Sequence, residues 1–248
     1  MKKRKKIFAI FIAYNAEHSL KKFYSNFPKQ LFDKIILVDD ASHDNTYLLA
    51  KKLGIETYRN SKNLGYGGNM KRALSIGMRL GGDIFVDIHP DGEYKPSAIA
   101  PALTKILNGV YLVLGNRFYS KDKPLKSGMF VWKYVMIRIL NNIDKIVLGL
   151  NINDYHQGFR VYTRDLLKVI NYKINTNGFL FSFELIAQAA FHKLEVSQVP
   201  VNTSYSGKKR GATLRKSVIY SIGTFWVLIL YILARLGIKS KLFIKPLS

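Results

Sequence analysis

The feature that most constrains this fold is a series of short apolar runs separated by helix-like segments. Most of the runs are hydrophobic on both faces, which is typical of buried parallel strands. They lie at Ile7–Ala13, Lys34–Val38, Glu56–Tyr58, Ile84–Ile88 and Val110–Leu114. Strands that alternate with helices predict an α/β fold with a mostly parallel sheet and helices on both faces. Ligands of such sheets bind beyond the carboxyl ends of the strands, so we expect the functional residues just after the runs.

Polar residues follow the first two runs directly. Tyr14 and Asn15 come after the first, and Asp39 and Asp40 close the second. Asp44 is explained by capping of the next helix. Capping does not explain two consecutive carboxylates at a strand end. One of them is placed to face the loops of the sheet and the other a ligand.

A glycine-rich turn, Asn-Leu-Gly-Tyr-Gly-Gly-Asn, occupies residues 63–69. Bare backbone N–H groups at a helix entrance are suited to a phosphate. The turn matches neither the dinucleotide-binding nor the P-loop pattern, so neither class is supported. Tight packing of the helix entrance explains the glycines equally well.

His89, Asp91 and Glu93 follow the fourth run within five residues. An imidazole two residues from a carboxylate can converge on one divalent cation. Oxygen-rich sites favour Mg²⁺ or Mn²⁺, and an imidazole nitrogen among the ligands shifts the preference toward Mn²⁺. The alternative is an ordinary loop histidine beside a proline.

The net charge of +23, from 39 Lys and Arg against 16 Asp and Glu, requires a polyanionic neighbour. Nucleic acid, an anionic membrane surface and a phosphate-rich substrate are the three candidates. The surplus is concentrated at the two ends of the chain. The absence of cysteine excludes disulfides and thiol catalysis.

Residues Val218–Ala234 form an uncharged apolar segment with Arg215 and Lys216 before it and Arg235 after it. As a helix it would measure roughly 25 Å, shorter than a hydrocarbon core of about 30 Å. An interfacial or shallowly inserted helix at an anionic membrane surface therefore fits better than a span. A core helix of a globular fold is the alternative.

The basic residues 2–6 and the apolar run after them have the composition of a signal peptide. The apolar stretch is short and leads into no small-residue cleavage site. A buried first strand is the simpler interpretation.

Taken in order, these motifs resemble family 2 glycosyltransferases of the GT-A nucleotide-diphospho-sugar transferase fold. The group in question is similar to dolichol-phosphate mannose synthases and bacterial polyprenyl-phosphate glycosyltransferases. The resemblance covers roughly residues 7–205 and rests on seven motifs, which lie at residues 13–15, 38–46, 63–67, 89–94, 115–118, 154–160 and 199–201.

The resemblance implies a nucleotide-diphosphate sugar donor, a divalent cation (Mg²⁺ or Mn²⁺) and a polyprenyl phosphate acceptor. The donor residues that it implies are Ala13, Tyr14, Asn15, Glu17, Val38, Asp40, Gly65, Lys71 and Pro90. The metal ligands are His89, Asp91 and Glu93, and the catalytic residues are Asp91, Arg117 and Asp154. The acceptor and its phosphate would be bound by Arg117, Lys133, Arg138, Lys208, Lys209 and Arg210.

The chain departs from the family pattern at several of these positions. His89 replaces the first carboxylate of the family's Asp-x-Asp motif, and Glu93 stands where a glutamine is usual. Both substitutes still bind cations. A glutamate contact to the nucleoside is missing unless Glu17 supplies it, which weakens any assignment of the donor.

The two acceptor chemistries make different demands. A lipid phosphate is already anionic and needs cations such as Arg117 to position it. A saccharide hydroxyl needs a general base, for which Asp154 is the best candidate. An apolar C-terminal helix, with the helix-like residues Met129–Leu150 as a second membrane contact, favours the lipid phosphate.

The sequence predicts a glycosyltransferase domain at residues 1–205 and a basic loop with a membrane-associated helix at 206–248, on the cytoplasmic face of the membrane. A nucleic-acid-binding protein would also explain the positive charge. That interpretation would leave the acidic residues at the strand ends unexplained, and the sequence contains no recognisable nucleic-acid-binding motif. A catalytically inactive GT-A fold is a third possibility, because of the substitution at His89.

Overall fold

The computed structural model describes residues 4–120, 123–203 and 214–245. Residues Lys208, Lys209 and Arg210, and the expected boundary near residue 206, lie outside the described residues. The strands are β1 (Ile7–Ala13), β2 (Lys34–Asp39), β3 (Glu56–Arg59), β4 (Ile84–Asp87), β5 (Leu112–Asn116), β6 (Arg160–Thr163) and β7 (Val196–Pro200).

The described strands form one sheet in the order β3-β2-β1-β4-β6-β5-β7. β1 pairs in parallel with β2 and β4, β2 with β3, and β5 with β7. β6 runs antiparallel between β4 and β5. The expected α/β fold with a mostly parallel sheet is confirmed.

The antiparallel direction of β6 determines what lies at the edge where β1, β2, β4 and β5 end. Its first residue, Arg160, is paired with Asp87 at the end of β4 and with Leu114 near the end of β5. The segment that leads into β6 therefore reaches the same edge as the loops that follow the parallel strands.

Helices cover both faces of the sheet. They are α1 (Glu17–Ser25), α2 (Thr46–Lys52), α3 (Gly65–Arg79), α4 (Ile99–Leu107), α5 (Lys123–Lys126), α6 (Val131–Leu148), α7 (Arg164–Val169), α8 (Phe181–Phe191) and α9 (Leu214–Arg235). Short 3₁₀ turns lie at Lys29–Leu31, Pro96–Ala98, Tyr172–Ile174 and Lys241–Phe243.

The alternation of side chains along β1 shows how the two faces are filled. Phe8 and Ile10 pack into the core on one face, with residues of α3, α8 and α9. Phe11 packs on the other face, with residues of α1, α2 and α4. Successive side chains of a strand point to opposite faces, so a strand covered on both sides has to be apolar throughout.

The C-terminal helix α9 is long and apolar enough to cross a membrane by length and composition. One side of it belongs to the protein core, since Val227, Leu228 and Tyr231 are buried and Phe243 beyond it packs with them. The opposite side exposes apolar side chains to solvent, among them Ile222 and Trp226. A helix with one apolar face packed on the protein and another exposed is suited to a membrane–water interface.

Candidate active site

The loops after β1 and β2 are joined by reciprocal hydrogen bonds. The Asn15 N–H donates to Ser42 Oγ at 2.9 Å, and the His43 N–H donates to Asn15 Oδ1 at 2.9 Å. Glu17 accepts from both the backbone and the side-chain amide of Asn45, each at 3.0 Å. The Tyr14 ring is 48% exposed and lies edge-on to the His43 ring, so it remains open to a ligand.

The carboxylate of Asp40 is buried and accepts three hydrogen bonds from within the protein. Its Oδ1 accepts from Asn60 Nδ2 at 2.6 Å and from the Leu64 N–H at 2.8 Å, and its Oδ2 accepts from the Gly65 N–H at 3.0 Å. Asp39 is fully buried, and its Oδ2 lies 3.2 Å from Arg59 Nε. Asp40 therefore anchors the loop that enters α3, and Asp39 holds the end of β3.

The glycine-rich turn packs against the loop before α8. The N–H groups of Gly67 and Gly68 donate to the Asn177 carbonyl at 2.7 and 3.3 Å. A Cβ atom at Gly67 would lie 2.3 Å from the Thr176 carbonyl oxygen. The structure shows tight packing rather than an open phosphate site at this turn, because the N–H groups of Gly67 and Gly68 already donate to the Asn177 carbonyl.

Replacing Gly67 with alanine is expected to lower the free energy of unfolding by about 2–3 kcal/mol, because backbone rather than a flexible side chain would have to move. The matched control is Gly178→Ala in the facing loop, where a Cβ would meet no atom within 4 Å. Differential scanning calorimetry of both variants measures the difference. Equal melting temperatures would show that the loop yields to the extra methyl group.

Two more of the predicted donor residues lie at the carboxyl ends of β1 and β2. Ala13 is the last residue of β1, Val38 is the last but one of β2, and both are buried. Lys71 lies apart from them on α3, where its Nζ donates to the Asn175 carbonyl at 2.7 Å. One edge of the sheet thus brings together six of the predicted donor residues: Ala13, Tyr14, Asn15, Val38, Asp40 and Gly65. Lys71 is not among them, because it lies further along α3.

The loop after β4 places His89, Asp91 and Glu93 on the wall of a cavity of about 730 Å³, with Pro90 buried between them. Asp91 Oδ1 accepts the Glu93 N–H at 2.9 Å. His89 Nε2 is buried without a hydrogen bond and lies 3.7 Å from Asp87 Oδ1. Burial raises the pKa of Asp87 to about 6, although the nearby His89 and Arg160 act in the opposite direction.

Arg117 and Asp154 form a buried ion pair across the loops that follow β5 and precede β6. Arg117 Nε donates to Asp154 Oδ2 at 2.7 Å, and an outer guanidinium nitrogen of Arg117 donates to Oδ1 at 2.8 Å. The Arg117 N–H also donates to Oδ2 at 3.0 Å. Arg117 lines the cavity, whereas Asp154 is fully buried behind it. Asp154 is therefore not placed to take a proton from a ligand.

Lys133, on the first turn of α6, lines the cavity beside Arg117. Burial, together with the neighbouring Arg117 cation, lowers the pKa of Lys133. Arg138 is not on the cavity wall, and its guanidinium lies 5.4 Å from the centre of the Phe118 ring. Lys133 thus joins Arg117 at the site, and Arg138 does not.

Ionisable and apolar side chains line the cavity together. The ionisable residues with acidic or basic side chains are His89, Asp91, Glu93, Arg117, Lys133, His156, Arg160 and Lys216. The apolar residues come from α6, α9 and the loop before α8, and include Trp132, Met136, Ile137, Leu140, Phe179 and Val218. A space with this lining offers contacts to both an anionic and an apolar part of one ligand.

His156, Arg160 and Tyr220 line this cavity as well, and Asp144 lies beside His156; the sequence predicts no role for any of the four. His156 Nε2 lies 2.7 Å from Asp144 Oδ2 of α6, and His156 Nδ1 lies 2.9 Å from the Tyr220 hydroxyl of α9. The His156 carbonyl also accepts from Arg117 at 2.6 Å. His156 and Arg160 belong to the motif at 154–160, which was the available signal, but Asp144 and Tyr220 lie in segments that carry none.

Residues 8–170 match the family model described as Glycosyl transferase family 2. Several curated relatives match over most of the chain, among them two enzymes. One is a UDP-N-acetylglucosamine–dolichyl-phosphate N-acetylglucosaminyltransferase of Methanococcus voltae, 30% identical over 82% of this chain and 87% of the relative. The other is a polyprenol monophosphomannose synthase of Mycolicibacterium smegmatis, 26% identical over 74% of this chain and 73% of the relative.

Among solved structures, the fold is similar to glucosyl-3-phosphoglycerate synthase from Mycobacterium tuberculosis. Its complex with UDP superposes with a TM-score of 0.70 at 20% identity, covering 96% of this chain and 82% of that one. Its complex with Mn²⁺, UDP-glucose and phosphoglyceric acid has a TM-score of 0.67 at 19% identity, covering 96% and 81%.

Proposed function

The chain belongs to glycosyl transferase family 2, and from that premise we propose that it moves a sugar, with inversion, from a nucleotide-diphosphate donor to a polyprenyl phosphate. Family membership makes the chain a glycosyltransferase with the GT-A fold. The proposal concerns the substrates, the residues that bind them and the place of the reaction.

The observation that carries the proposal is the mixed lining of the cavity. The cations Arg117, Lys133 and Lys216 share its wall with apolar side chains of α6 and α9. A polyprenyl phosphate has the complementary form, with an anionic group at the end of a hydrocarbon chain. A free sugar would leave the apolar side chains without a partner.

Lys133 is the cation of this wall that a bound anion would favour most directly. Burial, and then the neighbouring Arg117 cation, lower the pKa of Lys133, whereas Arg117 is itself paired with Asp154. An opposite charge close to a buried ammonium group favours its charged form. A phosphate bound beside Lys133 and Arg117 would therefore stabilise the Lys133 cation, and its oxygen would face the donor sugar.

The donor belongs at the adjoining edge of the sheet. We assign the nucleoside to the surface formed by Ala13, Tyr14, Asn15, Val38 and Gly65, with the exposed Tyr14 ring as its stacking partner. Asp40 and Glu17 support this surface through the loops that they hold, because their carboxylates are already hydrogen-bonded. We also assign Pro90, in the loop after β4, to the donor side of the site.

The residues after β4 fit a divalent cation shared with the donor. His89 Nε2 is buried without a hydrogen bond, and Asp91 and Glu93 supply oxygen ligands on the same wall. Within the described chain, no group of three His, Cys, Asp or Glu side chains could hold a metal ion. A cation here would therefore need ligands from the donor, and Mg²⁺ is commonly bound by one or two carboxylates together with substrate phosphates. When bound, the cation would neutralise the diphosphate.

The transfer forms a bond between an acceptor phosphate oxygen and the anomeric carbon and breaks the bond to the nucleoside diphosphate. The attacking oxygen is already anionic, so no protein group has to remove a proton. Asp154 acts by holding Arg117 in position. A hydroxyl acceptor would need a base, and the carboxylate predicted for that role is buried and saturated by Arg117.

We place the reaction at the cytoplasmic face of an anionic membrane. The exposed side of α9 and the exposed Val131, Val135 and Ile139 of α6 provide apolar contacts, and basic residues flank α9. We retain the division into a catalytic part, 1–205, and a membrane-associated segment, 206–248, although α9 shares the core of the sheet.

The membrane contact is tested by making the bare face of α9 acidic. Ile222→Asp with Trp226→Asp is expected to reduce flotation with liposomes by at least tenfold, because both side chains are exposed and would leave the apolar interface. Leu48→Asp with Leu107→Asp is the matched control, since these side chains are similarly exposed but lie on helices of the opposite face. Equal flotation of the two variants would contradict the assignment.

The acceptor is tested with radiolabelled nucleotide sugars and a polyprenyl phosphate. We expect label to enter the organic phase and to be released by mild acid, which cleaves glycosyl phosphates. A labelled product that stays in water and survives mild acid would overturn the lipid phosphate in favour of a saccharide hydroxyl.

A further inference from the structure

A second cavity, of about 740 Å³, lies at the opposite end of the molecule from the site described above. Its walls come from the last residues of α3, from α7 and the 3₁₀ turn after it, and from the C-terminal segment around Lys241–Phe243. α3 begins beside the carboxyl end of β2 and runs back along the sheet. Its last residues therefore lie at the other edge.

The charge around this cavity is of one sign. Within the described chain its lining includes no Asp or Glu, and the cations are Arg79, Lys168, Lys173, Lys241 and Lys245. All five are exposed, so each can approach a ligand without being desolvated first. They come from four separate segments, and the fold gathers them around one opening.

The lining between these cations is apolar. Leu167 and Ile170 are buried at the base of the cavity, while Ile174 and Ile244 stand at its rim, 47% and 49% exposed. A free phosphate would be satisfied by the lysines and would leave this apolar surface in water. An anion attached to hydrocarbon would use both.

The helix α9 relates the two cavities. Ser217, Tyr220 and Ser221 near its start line the first, and Lys241 and Ile244, soon after its end, line the second. A helix of 22 residues measures roughly 33 Å. If its bare apolar face rests on a bilayer along this length, both openings lie near the same surface.

We propose that this second cavity binds an anionic phospholipid, with the headgroup phosphate among the five cations and the acyl chains along Ile174 and Ile244. The proposal rests on the membrane attachment in the proposed function. A lipid held here fixes the far end of α9 at the bilayer, so that the helix lies along the surface and the first cavity faces the lipid phase.

The test is flotation of the full chain with phosphatidylcholine vesicles that contain or lack phosphatidylglycerol. Lys168→Glu with Lys241→Glu is expected to reduce binding to the anionic vesicles by tenfold or more. The control is Lys21→Glu with Lys52→Glu, which makes the same change in net charge at exposed positions on α1 and α2. An equal reduction in both variants would overturn the proposal in favour of net charge alone.

Soluble short-chain phosphatidylglycerol and inorganic phosphate separate the two sources of the anion. In calorimetric titrations we expect saturable binding of the short-chain lipid by the wild-type chain, lost with Lys168→Glu and Lys241→Glu, and much weaker binding of phosphate. Equal affinity for phosphate would overturn the lipid assignment. Binding of a DNA oligonucleotide through these lysines, with no binding of the lipid, would overturn it in favour of nucleic acid.

Transfer to a polyprenyl phosphate in detergent micelles separates this proposal from the proposed function. The two lysines are remote from the first cavity, so the double variant is expected to keep wild-type rates in micelles. Wild-type transfer together with lipid binding that the variant does not lose would overturn the second site alone. Absence of transfer by the wild-type chain would overturn the proposed function.

Discussion

Replacing Asp91 with asparagine is expected to reduce sugar transfer by at least about a hundredfold while leaving the fold intact. Asn keeps the oxygen that accepts the Glu93 N–H, so the loop after β4 retains its hydrogen bond. The variant loses the negative charge that we assign to the cation at the donor diphosphate. Initial rates with saturating donor measure the loss, and Asp165→Asn, at an exposed position on α7, is the control.

Calorimetry separates a metal role of Asp91 from other roles. We expect Mn²⁺ to raise the affinity of the wild-type chain, but not of Asp91→Asn, for a nucleoside diphosphate. His89→Asn should weaken the preference for Mn²⁺ over Mg²⁺, because it removes the imidazole nitrogen without adding charge beside Asp87. Wild-type affinity that does not respond to Mn²⁺ would contradict the assignment of both ligands.

The sheet was predictable from sequence because most of its strands are apolar on both faces. β1 begins and ends where the apolar run does, at Ile7–Ala13. β5 begins two residues later than expected, since Val110 and Tyr111 are apolar residues of the loop after α4. The direction of β6 was not predictable, because a short buried strand has the same composition in a parallel and an antiparallel position.

The site was predictable to the extent that its residues follow strands. Asp91, His89 and Arg117 do so, and all three line one cavity. Hydrogen bonds that depend on a distant segment were not predictable. Asp40 is predicted at the nucleoside, but nothing in the sequence indicates that its carboxylate also accepts backbone N–H groups some 24 residues further along the chain.

Contacts that join three separate elements could not be predicted from the sequence. Asp144, His156 and Tyr220 lie on α6, on the loop before β6 and on α9, and nothing in any one segment indicates the others. The consequence is mechanistic. His156 accepts a hydrogen bond from Arg117 at its carbonyl and contacts Tyr220 of α9 through its ring, so the positions of α9 and of Arg117 are linked by one residue.

The buried pair of Arg117 and Asp154 gives the second large effect, in stability as well as activity. Arg117→Ala would leave the Asp154 carboxylate fully buried without its counter-ion, which costs about 3–5 kcal/mol. Asp154→Asn would lower stability because the buried Arg117 guanidinium would then lack its counter-ion, and Arg117 would be free to move. Each single substitution is therefore expected to reduce transfer, and neither alone distinguishes a binding role from a structural one.

The double variant Arg117→Met with Asp154→Leu makes that distinction. Replacement of both members of a buried ion pair by apolar residues of similar volume is often neutral. We therefore expect thermal unfolding to return toward the wild-type temperature. Transfer to polyprenyl phosphate should stay at the level of Arg117→Ala, because the Arg117 cation on the cavity wall is still missing. Recovery of both stability and transfer would show that Arg117 only supports the fold, and the phosphate would then have to be held by Lys133 and other cations of the cavity.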